Sequence, residues 1–303
     1  MNISLYKNDR ELGIFYSAMA STIWGLLPLY WKLLKQIPAG ELLAHRIIWS
    51  FVLLMIILSF TKKLSIITKQ FSHGKSIVLI LSCSILMSIN WLTYIWAVNS
   101  NHVIEASIGY YITPIVAVIL GVVILKEKIN KYQKIALLFA IVGIVILVAA
   151  YGKIPWISLI LAASFGLYGL FKKMANVQPI IGIALETAFM FPISLIYILF
   201  KQTNSSVYYG TIGLLNALLL FNSGIATVIP LLLFAQGTKR VDLAISGFIQ
   251  YISPTISIML GIFLFKEKFT GTDAISLACI LSALIIFSLS NLLMKYEIYI
   301  SDK

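Results

Sequence analysis

Two positions carry charge where their neighbours are apolar. Arg46, with His45 beside it, lies in ELLAHRIIWS (41–50), and Glu186 lies in ALETAFMFP (184–192). Placing arginine or an acid at the centre of a lipid-embedded helix costs about 2.5–3.5 kcal/mol even on lenient scales, so such residues pair, reach for the interface or serve a solute. Shifted by 141 positions, His45 aligns with Glu186, so the same kind of position holds an ionisable group twice. The chemistry open to them is capture of an anionic group by Arg46 and His45, and cation binding or carriage of a coupling proton by Glu186. The competing reading is snorkelling, of Arg46 toward the interface and Glu41, and of Glu186 toward Lys172 or Lys173.

Uncharged polar groups cluster at three further places. Asn90 and Tyr94 stand one helical turn apart on one face, next to Trp91 and Trp96, and suit an organic ligand with polar and flat parts. Interhelical packing competes for Asn90, and an interfacial aromatic belt competes for Trp96. Tyr110, Tyr111 and Thr113 precede Pro114, and Gln250, Tyr251 and Ser253 precede Pro254. Each proline removes a backbone donor and frees a carbonyl, which makes it a hinge or cavity wall, or simply a kink. The candidate substrate-binding set is therefore Arg46, His45, Asn90, Tyr94, Tyr111, Gln250 and Tyr251, with Glu186 for coupling and Pro114 and Pro254 as hinges. His102 and Glu105 read as solvated.

The elements that must hold these groups are helices in lipid. Of 303 residues 60% are hydrophobic and only 11% charged, against roughly 25% charged in soluble globular domains. Ten apolar runs of spanning length follow one another, at 12–32, 41–60, 77–99, 104–125, 132–150, 155–173, 180–200, 210–236, 243–265 and 273–294. A β-barrel would show short alternating segments instead. The first run follows a mixed-charge head without a convincing cleavage site and reads as a retained helix.

The net charge of +12 is a topology signal more than a nucleic-acid signal. Most of the 23 Lys and Arg residues fall on alternate loops, including Lys62, Lys63, Lys126, Lys128, Lys172, Lys173, Lys239 and Arg240. The positive-inside rule then puts both termini in the cytoplasm.

The chain is also doubled. YITPIVAVILGVVILKEK (111–128) returns 140 positions later as YISPTISIMLGIFLFKEK (251–268). Trp24-Gly25 through Lys32 matches Phe165-Gly166 through Lys173 at a shift of 141. A unit of five spans ends on the opposite face from its start, so its second copy is threaded upside down. The expected fold is an all-α polytopic membrane protein with ten transmembrane helices in two inverted five-helix repeats, 1–150 and 151–303. The small residues Ser17, Ser21 and Gly25, and Ala162 and Gly166, read as sites of close helix packing.

Several chemistries have no support in the sequence. Cys83 and Cys279 sit in mid-span without metal-ligand spacing, so neither a metal nor a cofactor is expected. Gly74-Lys75-Ser76 lacks the first glycine of a phosphate loop, and no HExxH or GxSxG segment occurs. An enzyme is not expected.

Several stretches resemble a known family: SxxWGLLPLYWKLL (21–34), ELLAHRIIWS (41–50), NWLTYIWAVN (90–99), EASIGYYITP (105–114), PWISLILAASFGLYGLFKK (155–173), ALETAFMFP and QYISPT (250–255). They are similar to the RarD type of the EamA branch in the drug/metabolite transporter superfamily, over about residues 12–292. The resemblance implies ten helices, two inverted EamA repeats and transport of small metabolites or drugs through a central cavity. The expectation is a multi-pass secondary transporter of the inner (plasma) membrane. It would move a small polar or zwitterionic, amino-acid-like metabolite by alternating access, with proton-coupled export. Uptake or exchange, and a non-transporting scaffold or receptor, are the alternatives.

Overall fold

The computed structural model describes residues 3–34, 36–70, 74–100, 102–152, 155–203, 213–264 and 270–301. Every regular element among them is helical. The first half contains α1 (Ile3–Leu33), α2 (Ala39–Phe60), the short α3 (Leu64–Gln70), α4 (Gly74–Asn99), α5 (Val103–Val123) and α6 (Lys131–Tyr151). The second half contains α7 (Trp156–Ala175), α8 (Pro179–Thr203), α9 (Leu214–Arg240), α10 (Leu243–Gln250), α11 (Ile252–Phe263) and α12 (Gly271–Ser301). Eight described helical stretches are long and apolar enough to cross a membrane, with Leu243–Leu260 counted as one. Two shorter apolar stretches, Ile108–Val123 and Ala274–Ser290, lie in α5 and α12.

Local sequence explains many of the boundaries. Asn130 and Gln133 form a reciprocal capping box at the start of α6, both hydrogen bonds being 2.8 Å, and Gly152 closes the helix at φ 75°. Asn176, at φ 48°, ends α7 in the left-handed conformation that asparagine tolerates. The eighth run starts and ends about a turn later than its apolar pattern suggests, because α9 continues through Lys239 and Arg240. Cations are favourable in a last helical turn.

The two repeat-equivalent prolines behave differently. Helix α5 runs unbroken through Pro114. The second copy is interrupted at Tyr251, whose N–H bonds the Phe248 carbonyl three residues back, between α10 and α11. Pro254 has no N–H to give the Gln250 carbonyl, and its ring crowds that carbonyl, which accounts for irregularity one turn upstream.

The halves are interleaved rather than side by side. Helix α1 packs on α9 and on α10–α11, while α7 packs on α4 and on α5; α2 packs on α8, and α6 on α12. Close approaches repeat with the same symmetry. A Cβ on Gly25 would meet the Ile256 Cβ at 2.8 Å, and one on Gly166 would meet the Val116 Cγ1 at 2.5 Å. Gly25 and Gly166, like Val116 and Ile256, are repeat equivalents, so each half lays its first helix on the other half's proline helix. Only small residues permit this proximity.

At the end of the bundle where α5 stops and α10 begins, Glu127 caps a helix remote in sequence. Its carboxylate accepts the Leu243 N–H at 2.7 Å and the Ala244 N–H at 2.8 Å, and Lys173 pairs with it at 3.0 Å. Asp242, in the N-cap position, makes no side-chain cap bond, so Glu127 supplies the anion that a helix N-terminus favours. Hydrogen bonds to charged groups contribute roughly 1.5–3 kcal/mol each. Glu127→Ala is therefore expected to destabilise the protein by about 2 kcal/mol or more. Thermal unfolding in detergent measures this, and a wild-type melting temperature would disprove it. The second KEK copy, 266–268, lies outside the described residues.

Candidate functional site

A cavity of about 300 Å³ lies between the halves. Its walls come from the C-terminal parts of α1 and α4, the N-terminal parts of α2 and α5, the middle of α7, and α10–α11 around the break. It therefore occupies the end of the bundle opposite to Glu127. Arg46, Asn90, Tyr94, Tyr111, Gln250 and Pro254 line it, together with Trp24, Trp31, Trp91, Tyr110, Phe165 and Ser253.

Arg46 is the cation of this space. It is only 8% exposed, and its guanidinium carbon stands 4.5 Å from the ring centres of both Trp31 and Trp91. Two indoles thus face one guanidinium, and cation–π contacts contribute about 0.5–1 kcal/mol each at exposed sites and about 2 kcal/mol when desolvated. Its Nε donates to the Thr227 hydroxyl at 3.1 Å, and that hydroxyl donates in turn to the Ser223 carbonyl at 2.8 Å. Helix α9 can reach in because Gly224 touches α2: a Cβ there would lie 2.6 Å from the Trp49 carbonyl carbon. Glu41, the partner the sequence offered Arg46, instead pairs with Lys201 at 3.1 Å.

The other wall groups divide between anchoring and presentation. The Asn90 amide nitrogen donates to the Leu161 carbonyl at 2.9 Å and to Ser164 at 3.0 Å, tying α4 to α7 while still bordering the cavity. The Tyr94 and Tyr110 rings meet edge-on at 5.5 Å. Tyr111 donates weakly to the Pro254 carbonyl at 3.4 Å, joining the two proline helices, and Gln250 donates at a similar 3.4 Å to Ser246 in its own helix.

Four candidates stand elsewhere. His45 is buried but does not line the cavity. Tyr251 is 1% exposed and packs in an apolar cluster with Phe248 and Ile115. Pro114 faces a helix, its carbonyl 2.9 Å from where a Cβ on Gly247 would lie. Glu186 is also buried away from the cavity, toward the end that holds Glu127. It pairs with Lys172 at 2.5 Å and accepts from the Tyr168 hydroxyl at 3.3 Å. The side chain of Glu105 lies outside the described residues.

Trp31 and Thr227 were absent from the sequence candidates. Trp24 and Trp31, seven residues apart and hence on one helical face, offered a signal for an aromatic wall. Thr227 offered none, since its role depends on the approach of α9 to α2.

Comparison with known proteins decides the family. Residues 11–149 and 154–289 each match the EamA-like transporter family. The chain belongs to that family. Consistent with this membership, it is 46% identical to the uncharacterized transporter YojE of Bacillus subtilis (strain 168), over 95% of this chain and 97% of that protein. It is 36% identical to protein RarD of Escherichia coli (strain K12), over 93% of this chain and 95% of that protein. A solved crystal structure superposes with a TM-score of 0.69, covering 91% of this chain and 97% of its own, at 20% identity, which bears on the fold alone. This EamA-family chain is thus a RarD-type membrane transporter, not an enzyme.

Proposed function

We propose that this chain is a secondary transporter that binds a small polar organic solute at the Arg46 cavity and passes it across the membrane by alternating access. The observation that carries the reading is a buried cation on the wall of a cavity built from both repeats. Inverted repeats generate two equivalent half-pathways, and substrate sites lie where the repeats meet. In this reading the ten apolar runs are ten transmembrane helices in two inverted units, 1–150 and 151–303. Both termini face the cytoplasm, and the membrane is the inner (plasma) membrane. The cavity then belongs to the outer half, while Glu127, Lys173 and the Lys172–Glu186 pair belong to the inner half.

Arg46, Asn90, Tyr94, Tyr111 and Gln250 contact the solute directly, and Pro254 sets the irregular backbone beside it. His45 and Tyr251 support the site from behind its wall. Pro114 and Pro254 mark where the proline helices bend during exchange. Glu186 is the coupling group, exchanging its proton when the inner half opens, and the direction is export driven by a proton gradient.

Purified protein in proteoliposomes, presented with a panel of labelled amino acids and organic acids at several pH gradients, tests the reading. Accumulation that depends on the gradient and is lost in Arg46→Met is expected. Solute movement indifferent to both would refute it.

A further inference from the structure

We infer that the cavity takes a small aromatic or otherwise flat organic anion, a carboxylate without a compensating ammonium, in preference to a zwitterion or a cation. This narrows the substrate class and rests on the reading that the Arg46 cavity is the solute site.

Charge on the cavity wall is unbalanced. Arg46 is buried on the cavity wall, and no carboxylate among the described residues pairs with it. A buried ion without a counter-charge is costly, and a bound anion relieves that cost. Among the described acids, Glu41 pairs with Lys201, while Glu186 and Glu127 stand toward the other end of the bundle, paired with Lys172 and Lys173. Among the described residues the lining contains no Asp or Glu, so an ammonium group would meet the repulsion of Arg46 with no carboxylate to offset it.

The geometry matches a carboxylate in particular. Trp31 and Trp91 stand at equal distance from the guanidinium, and the Nε bond to Thr227 fixes one edge. Its two terminal nitrogens have no hydrogen-bond partner among the described residues, and a guanidinium fork matches the two oxygens of a carboxylate. Aromatic side chains from α1, α4, α5 and α7 make up much of the remaining wall, which suits a flat apolar body. The hydroxyls of Tyr94 and Tyr110 can donate to an anion, whereas the amide nitrogen of Asn90 is already used on α7.

Four compounds that share a benzyl group test the charge rule: phenylacetate, phenylacetamide, phenylalanine and phenethylamine. Their binding to the purified full chain is read by intrinsic tryptophan fluorescence and by thermal shift. Phenylacetate is expected to bind at least about 10-fold more tightly than the other three. Arg46→Gln should abolish that preference, while Arg46→Lys, which keeps the charge and loses the planar fork, should retain it at lower affinity. If phenylalanine or phenethylamine binds as well as phenylacetate, the anion rule fails and the cavity remains the solute site. If none of the four binds the wild-type chain, the anion rule is overturned, while gradient-driven uptake from the broader proteoliposome panel still judges the transport reading separately.

Discussion

Arg46→Met abolishes solute transport in proteoliposomes while leaving the ligand-free protein folded, with a melting temperature at or near that of wild type. The reason for the first half is the loss of the cavity's cation. Removing one member of a buried, hydrogen-bonded charge pair costs about 2–5 kcal/mol of binding, or roughly 30-fold to several thousand-fold in affinity. The second half follows because Arg46 has no acid partner among the described residues, so its removal orphans no opposite charge there. What the fold loses is the contact of the guanidinium with Trp31 and Trp91. What it gains is relief from desolvating an ion, and methionine is flexible enough to fill an irregular gap. Transport rates and melting curves on the same preparation check both halves. Wild-type transport by Arg46→Met would remove this residue from the site, and a collapsed melting curve would assign it a structural task instead.

The opposite pattern is expected for Glu186. Glu186→Gln leaves the Lys172 ammonium buried without its partner at 2.5 Å, and breaking a buried ion pair on one side costs about 3–5 kcal/mol. The single variant should therefore melt well below wild type. Adding Lys172→Met removes the orphaned charge, and the double variant should recover most of the lost stability, because apolar replacement of a whole buried pair is often neutral or stabilising. The recovered protein then isolates the coupling proposal from stability. A pH gradient should no longer drive accumulation in it, while downhill exchange of solute continues. A wild-type melting temperature for Glu186→Gln would sink the pair's stabilising role. Undiminished gradient-driven accumulation in the double variant would exclude Glu186 from coupling.

These contrasting expectations arise from adjacent positions in equivalent segments of the repeat. His45 and Glu186 align at the shift of 141, as do Trp31 and Lys172. Around Arg46 the equivalent space is a cavity walled by Trp31. Around Glu186 it is filled by Lys172 and by the stacked Tyr168 and Phe234 rings. In the proposed alternating-access reading, a transporter built from two such units has one half-pathway open and the other packed in any one state. The buried Lys172–Glu186 pair is the packed counterpart of the Arg46 cavity.

Much of the architecture was legible from the chain because lipid imposes a local rule. Every spanning helix must satisfy its own backbone bonds and present about 20 apolar residues, so helices announce themselves without reference to their neighbours. The repeat was legible for a similar reason: duplicated sequence keeps its register, and Gly25 and Gly166 kept the small surface that close packing needs. The polar groups that border the cavity, Arg46, Asn90, Tyr94 and Gln250, stood out as exceptions to the apolar pattern.

Partnership was not legible, because it depends on how each helix is rotated and where distant helices cross. Sequence left Arg46 a choice between Glu41 and a solute, and Glu186 a choice between lysine and proton coupling. The fold gave Glu41 to Lys201 and Glu186 to Lys172, and it brought Thr227 to Arg46 from 181 residues away. Apolar runs and repeated segments therefore determined the helices and their doubling, since both are properties of contiguous residues. Only the tertiary structure decided which charges would be paired and which one would face an open cavity, since a side chain's partner is set by packing between helices.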